Sequence, residues 1–273
     1  MYACFHSVGL PDLPILQAIE AVKAAGYAAI EINAETLPWA GPHVTPETDK
    51  SERDAIRSAC KSLELVIPAI GAHIAMVDPV KSKRRAAIDF VVGCTDLARD
   101  VGAPVVHILS GPQAPGTPRA EAWAWFAEAV AETVAYADRL GIALAIEAIA
   151  GHLFHQIDDY RQLAADLPGT AIRVNFDPSH MIVQGEDPAG IFERFADRIV
   201  NVHLKDGKGR YPDFSFPPLG LGSIDFVQLT GLLAHSGYTG AMSVEYEAQV
   251  FGFRETQEHV LSHGRQYLNQ LGV

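Results

Sequence analysis

The strongest constraint on the fold is an alternation kept from one end of the chain to the other. Short apolar runs near residues 2–6, 28–33, 65–71, 104–109, 142–148, 171–177, 199–205 and 241–247 are separated by segments whose apolar residues recur at helical spacing. Ile15, Ile19 and Val22 form one such stripe, and Trp123, Phe126, Val130 and Val134 another. Gly26, Gly102, Gly141 and Gly237 each stand a few residues ahead of the next run, where a helix end favours glycine. Eight successive βα units predict an α/β protein, a (β/α)8 TIM barrel filling residues 1–273 as a single domain, since such barrels commonly run to about 250 residues. An open doubly wound sheet has the same local pattern. It is disfavoured because Ser7-Val-Gly-Leu-Pro follows the first run in place of a glycine-rich dinucleotide fingerprint.

Side chains alternate faces along a strand, and sorting each run by parity gives a lopsided result. Ile142, Leu144 and Ile146 oppose Ala143, Ala145 and Glu147; Val174 and Phe176 oppose Arg173, Asn175 and Asp177; Val200, Val202 and Leu204 oppose Asn201, His203 and Lys205. Likewise Val244 and Tyr246 oppose Ser243, Glu245 and Glu247, Ile30 and Ile32 oppose Glu31 and Asn33, and Val106 and Ile108 oppose His107. In a barrel the bulky set packs under the helices and the polar set lines the lumen.

Four of these runs break at one residue able to bind a metal: Glu147, Asp177, His203 and Glu245. A charge buried in a strand is costly unless it is paired or metal-bound, so four on consecutive strands call for a common partner. Any one alone reads as a hydrogen-bonded core residue or an ion pair with Arg173 or Lys205. Together they favour a metal site at the carboxyl ends of the strands, where barrel enzymes keep their chemistry. Three carboxylates and an imidazole form a hard, oxygen-rich set that suits Mn²⁺, Mg²⁺ or Co²⁺, with Zn²⁺ possible.

The net charge of −12 opposes a nucleic-acid partner, and the one dense basic run, Lys81-Ser-Lys-Arg-Arg85, reads as the solvated start of a helix. Cys4, Cys60 and Cys94 are widely spaced and odd in number, which fits a reducing cytoplasm. No apolar run approaches the length of a membrane span, so no membrane partner is expected.

Glu147 in Ile-Glu-Ala, Asp177 and His180 in Asn-Phe-Asp-Pro-Ser-His, His203 in Asn-Val-His-Leu-Lys-Asp206 and Glu245 in Ser-Val-Glu-Tyr resemble the sugar isomerase/epimerase branch of the xylose-isomerase-like TIM barrels. The resemblance implies that Glu147, Asp177, His203 and Glu245 hold one divalent ion and that Glu147 and Glu245 act catalytically on opposite faces of a bound ketose. A metal beside the carbonyl would stabilise the enediolate, one carboxylate removing the neighbouring proton and the other returning it. His180 resembles a histidine that hydrogen-bonds a substrate oxygen, and equally one that orients a metal ligand. Arg210 is the candidate for an arginine that touches substrate after the seventh strand; its spacing departs from the family pattern, and Lys205 on the lumen face is the alternative. His107 is assigned to substrate contact and His73 to the polar lumen.

The implied function is a metal-dependent isomerase or epimerase acting on a small-molecule sugar, with a homo-oligomer possible. The alternative is a lyase or dehydratase of a keto-sugar or 3-keto-glycoside, because the same enolate expels a β leaving group. The Phe-rich loop with Trp39, Phe214, Phe216 and Phe251 suits a bulky substrate of that kind. His73 and His107 also resemble ligands of apurinic endonucleases on this barrel. That remote reading lacks an Asp-x-His pair, since Phe214-Ser-Phe-Pro-Pro218 occupies the corresponding stretch. Gly220-Leu-Gly-Ser223 reads as a tight turn and helix cap in preference to a phosphate cradle.

Overall fold

The computed structural model describes residues 1–273. Eight parallel strands close into a barrel: β1 (Tyr2–His6), β2 (Ala29–Asn33), β3 (Ala69–Gly71), β4 (Val105–Ile108), β5 (Ala143–Glu147), β6 (Arg173–Phe176), β7 (Ile199–Leu204) and β10 (Ala241–Val244), with β1 pairing β10 to complete the ring. Each is followed by a helix: α1 (Ile15–Ala24), α2 (Lys50–Ser62), α3 (Lys81–Val101), α4 (Arg119–Leu140), α5 (Ile157–Asp166), α6 (Pro178–Gln184), α7 (Phe226–His235) and α8 (Gln257–Gln270). The expected (β/α)8 TIM barrel is the fold.

Capping chemistry fixes several helix starts. Asp49, Asp225 and Thr256 accept hydrogen bonds from the backbone N–H three residues on, and Gln156 with Asp159 forms a reciprocal capping box. At the far end of α3, Gly102 takes φ +88°, a left-handed conformation that a side chain disfavours. The basic run at the start of α3 is a solvated face, its Arg85 paired with Glu132 and Asp89.

The parity sorting largely survives. Ile30, Ile32, Val106, Ile108, Leu144, Ile146, Val174, Phe176, Val202 and Leu204 belong to the main core beneath the helices. Inside the ring, Ala69, Val105 and Ala145 make a small apolar floor. Val200 is a correction: it packs against that floor and not with the outer set. The β6–β7 register shifts at Val174/Asn175, which alters the alternation at the start of β7. β3 is also shorter than expected. Pro68 has no N–H to give the ladder, so upstream of it only Val66 makes an isolated bridge, to Ala29. A further feature is a small antiparallel hairpin, β8 (Lys208–Arg210) with β9 (Asp213–Ser215), between β7 and α7. No helix is long and apolar enough to cross a membrane.

Candidate metal centre

The carboxyl ends of β5, β6, β7 and β10 carry Glu147, Asp177, His203 and Glu245 to one place. One donor atom from each lies within 4.8 Å of the others, and all four residues are buried. Asp177 also caps α6: its Oδ1 accepts the Ser179 N–H at 2.8 Å, which leaves Oδ2 facing the cluster. Asn175 donates to Glu147 Oε2 at 2.6 Å and accepts from Asn201 at 2.8 Å, so two amides steady that carboxylate from below.

The lumen floor determines which nitrogen His203 presents. Its Nε2 lies 2.9 Å from Glu31 Oε1, and His107 Nε2 lies 2.6 Å from the same oxygen. Asn201 donates to both Glu31 oxygens at 3.2 Å. Glu31 is fully buried, and although burial works to raise its carboxyl, His203, His6 and His107 outweigh that and hold it well below the usual range. An ionised carboxylate only accepts, so His203 donates through Nε2. Its Nδ1 then faces Glu245 Oε2 at 3.3 Å and Glu147 Oε2 at 3.5 Å.

His203 Nδ1 is buried without a well-formed hydrogen bond, and Asp177 Oδ2 has only Lys205 Nζ, at 3.0 Å, for a partner. A buried nitrogen left without a hydrogen bond is rare in a folded interior, and this one faces two carboxylates of the same four-residue cluster. The donor set, three carboxylates and one imidazole, therefore fits a divalent cation. Without such a cation, Glu245, Glu31 and Glu147 hold a proton on His203 against the effect of burial. Burial lifts Asp177 to about 6, with Lys205 offsetting part of the rise.

Lys205 supplies the fixed positive charge. Its Nζ is 3.0 Å from Asp177 Oδ2, 2.5 Å from Glu245 Oε2 and 2.9 Å from Glu247 Oε2. Burial opposes that charge, but Asp177, Glu245 and Glu247 keep the ammonium protonated far above its ordinary range. His180 stands beside it, Nε2 at 3.3 Å from Lys205 Nζ and 3.5 Å from Glu147 Oε1. Burial, and then Lys205, push His180 well below its usual pKa, so it is neutral.

The catalogue of known families and folds agrees with this architecture. A model described as the xylose isomerase-like TIM barrel matches residues 19–271. The chain belongs to this family. Over 266 residues it is 26% identical to a putative hydroxypyruvate isomerase of Streptomyces coelicolor, with 88% of each chain covered. A stretch of 89 residues, 26% of this chain and 29% of the relative, is 35% identical to an inosose dehydratase of Lacticaseibacillus casei. Among solved structures, the IOLI protein with a bound zinc atom matches with a TM-score of 0.80 at 16% identity, covering 99% of this chain and 98% of that one.

Within this xylose isomerase-like barrel, six of the residues singled out from sequence come together: Glu147, Asp177, His203, Glu245, His180 and Lys205. Of the other two, His107 meets the cluster from the floor side, its Nδ1 3.9 Å from Glu147 Oε2, while Arg210 stays outside it. His107 pairs in register with Ala145, one layer nearer the floor than Glu147, and is wholly buried between Glu31 and His73, whose Nε2 is 2.7 Å from His107 Nδ1. Arg210 lies on the exposed hairpin, its guanidinium against Gly185 at the end of α6. His73, His107 and Glu147 also converge closely enough to share an ion. Of the aromatic residues, Phe214, Phe216 and Phe251 form one cluster, with Phe216 edge-on to His180 at 4.9 Å.

Sequence reasoning assigned no role to Glu31, although the signal was present. Glu31 interrupts Ile30-Glu-Ile32 just as the four ligands interrupt their own runs. The turn at Gly220–Ser223 is explained by Asp206, whose carboxylate accepts N–H groups from Gly207, Gly220, Gly222 and Ile224. Those N–H groups are therefore not free to cradle a phosphate.

Proposed function

We propose that the protein is a divalent-metal-dependent isomerase or epimerase of a ketose or keto-sugar, working by proton transfer next to a carbonyl. The observation that carries this reading is the convergence of Glu147, Asp177, His203 and Glu245, with a buried His203 nitrogen that makes no hydrogen bond. These four residues would hold the ion, with Mn²⁺ the first expectation and zinc supported by the IOLI neighbour. When bound, the ion supplies the positive charge that makes a proton next to a carbonyl removable.

The remaining work belongs to side chains. Glu147 and Glu245 sit on different strands, and His203 lies between them, 3.5 Å from one and 3.3 Å from the other. One carboxylate takes the proton from carbon, and the other returns it to the same or the neighbouring carbon. Burial would favour the neutral acid at Glu245, but His203 and Lys205 outweigh it and keep the carboxylate ionised, ready to act as a base. His180 and Lys205 are placed to hold substrate oxygens, and Phe216 beside both excludes water. His107 and Arg210 are kept as candidates for substrate contact, the first beneath Glu147 and the second on the exposed hairpin at the rim. The site is expected to work in the cytoplasm, where its three buried free cysteines stay reduced.

A second reading is a dehydratase or lyase in which the same enolate expels a β substituent. The aromatic cluster at the hairpin and the local match to inosose dehydratase favour it. Incubation with ketoses in D₂O separates the two. Deuterium entering the α-carbon with no group lost supports the isomerase or epimerase, whereas stoichiometric release of water or an aglycone supports the lyase. Glu147→Gln and Glu245→Gln are each expected to abolish exchange while leaving the fold intact. Full exchange in either variant would refute the assignment of that residue.

A further inference from the structure

Beside the metal cluster, the barrel mouth opens into a cavity of about 330 Å³, within the range of small-ligand pockets. His73 forms the shared wall, with Nε2 3.4 Å from Glu147 Oε2 and Nδ1 3.3 Å from Glu35 Oε2. Glu35, Thr36 and His152 give the cavity its other polar edges, and Ile74 and Leu109 its apolar ones. His152 Nδ1 is buried there without a hydrogen-bond partner.

The charges around this cavity are already committed. No lysine or arginine lines it. Glu35 and Glu147 flank His73, and Lys205 answers Asp177, Glu245 and Glu247. The glycine turn that would otherwise offer N–H groups to a phosphate is filled by Asp206. Around all of this the chain carries a net charge of −12.

We propose that this cavity is the subsite for the far end of the substrate, and that it takes an uncharged polyhydroxyl chain or ring in preference to a phosphate ester or a carboxylate. The proposal rests on the metal-dependent proton-transfer reading and adds to it the substrate class. A hydroxyl both donates and accepts, so hydroxyls along a chain or ring can answer the acceptor-only carboxylate of Glu35 and the unpartnered nitrogen of His152 in turn. Phosphate and carboxylate oxygens only accept, and at this position they face the Glu35 carboxylate with no lysine or arginine to offset the repulsion, His73 being already shared between Glu35 and Glu147.

The test compares free ketopentoses and ketohexoses with their own terminal phosphate esters, using manganese-loaded protein in D₂O and reading exchange by NMR. The free ketose is expected to exceed its ester in kcat/KM by about a hundredfold or more, the order of one poorly screened like-charge contact. Glu35→Lys is expected to narrow that ratio mainly through KM, lowering it for the ester and raising it for the free sugar. Thr36→Lys, at an exposed position on the same rim, gives the same direction with less risk to the fold. Equal or faster turnover of the ester, or an unchanged ratio in both variants, overturns the subsite while leaving the proton-transfer reading in place. Exchange with neither series overturns that reading and the subsite with it.

Discussion

Glu31 touches no presumed substrate, yet it decides which lone pair His203 offers. By taking the Nε2 proton of His203 at 2.9 Å it leaves Nδ1 turned toward Glu147 and Glu245. Glu31→Gln removes that fixed charge, and metal affinity is expected to fall by roughly 10- to 100-fold, the usual effect of losing a partner that orients a ligand. Calorimetric titration of the metal-free variant reads this directly, and Glu31→Asp is expected to restore part of the loss. Unchanged affinity in Glu31→Gln would mean that His203 is oriented by other groups. Lys205 acts with the opposite sign. Its ammonium shares Asp177 and Glu245 with the expected ion, so Lys205→Met is expected to tighten divalent-metal binding while destabilising the metal-free fold by about 3 kcal/mol, as uncompensated buried carboxylates do. Weaker metal binding in this variant would show that Lys205 supports the site by shape and not by charge.

At the scale of elements, the loop after β7 is organised by one side chain. Asp206 is buried and accepts backbone N–H groups from residues on both sides of the hairpin, from Gly207 to Ile224. Asp206→Ala strands those donors, and a loss of about 2–3 kcal/mol in chemical unfolding is expected. A change under about 0.5 kcal/mol would mean that water replaces the carboxylate. The strands themselves were legible because their apolar runs are bounded and their parity is strict: the outward set from Ile30 to Leu204 and the inward ligands follow from counting by two. Counting failed at Val200, because a register shift is a property of the β6–β7 pair that neither sequence run reveals alone. It also overextended β3, where Pro68 was readable as a break. The hairpin at Lys208–Ser215 carries no alternating apolar pattern, its β8 strand being fully exposed, so nothing in its sequence separated it from a loop. Glu35 and the cavity it edges were illegible for a different reason, since a pocket between separate loops exists only once the barrel has closed.

For the whole molecule, the proposed ion would be coupled to the fold. The four expected ligands come from four of the eight strands, spread over residues 147–245, so an ion that gripped them would cross-link half of the ring. Divalent metal at about a hundred times its Kd is expected to stabilise the folded state by about 2.7 kcal/mol and to raise Tm by several degrees. A chelator is expected to reverse the shift and abolish exchange together. A Tm indifferent to metal and chelator would contradict that coupling. The negative charge of the chain, a cavity without lysine or arginine and the acidic cluster all accord with the proposed small neutral substrate and metal-dependent site.

The central claim is that Glu147, Asp177, His203 and Glu245 form one site for one dication. Titration of metal-stripped protein with Mn²⁺, with wild type and His203→Asn measured in parallel, tests it most directly. One equivalent bound per chain, with affinity lost in the variant, is the expected result; no binding, more than one tight equivalent, or a variant that binds as well as wild type would contradict it.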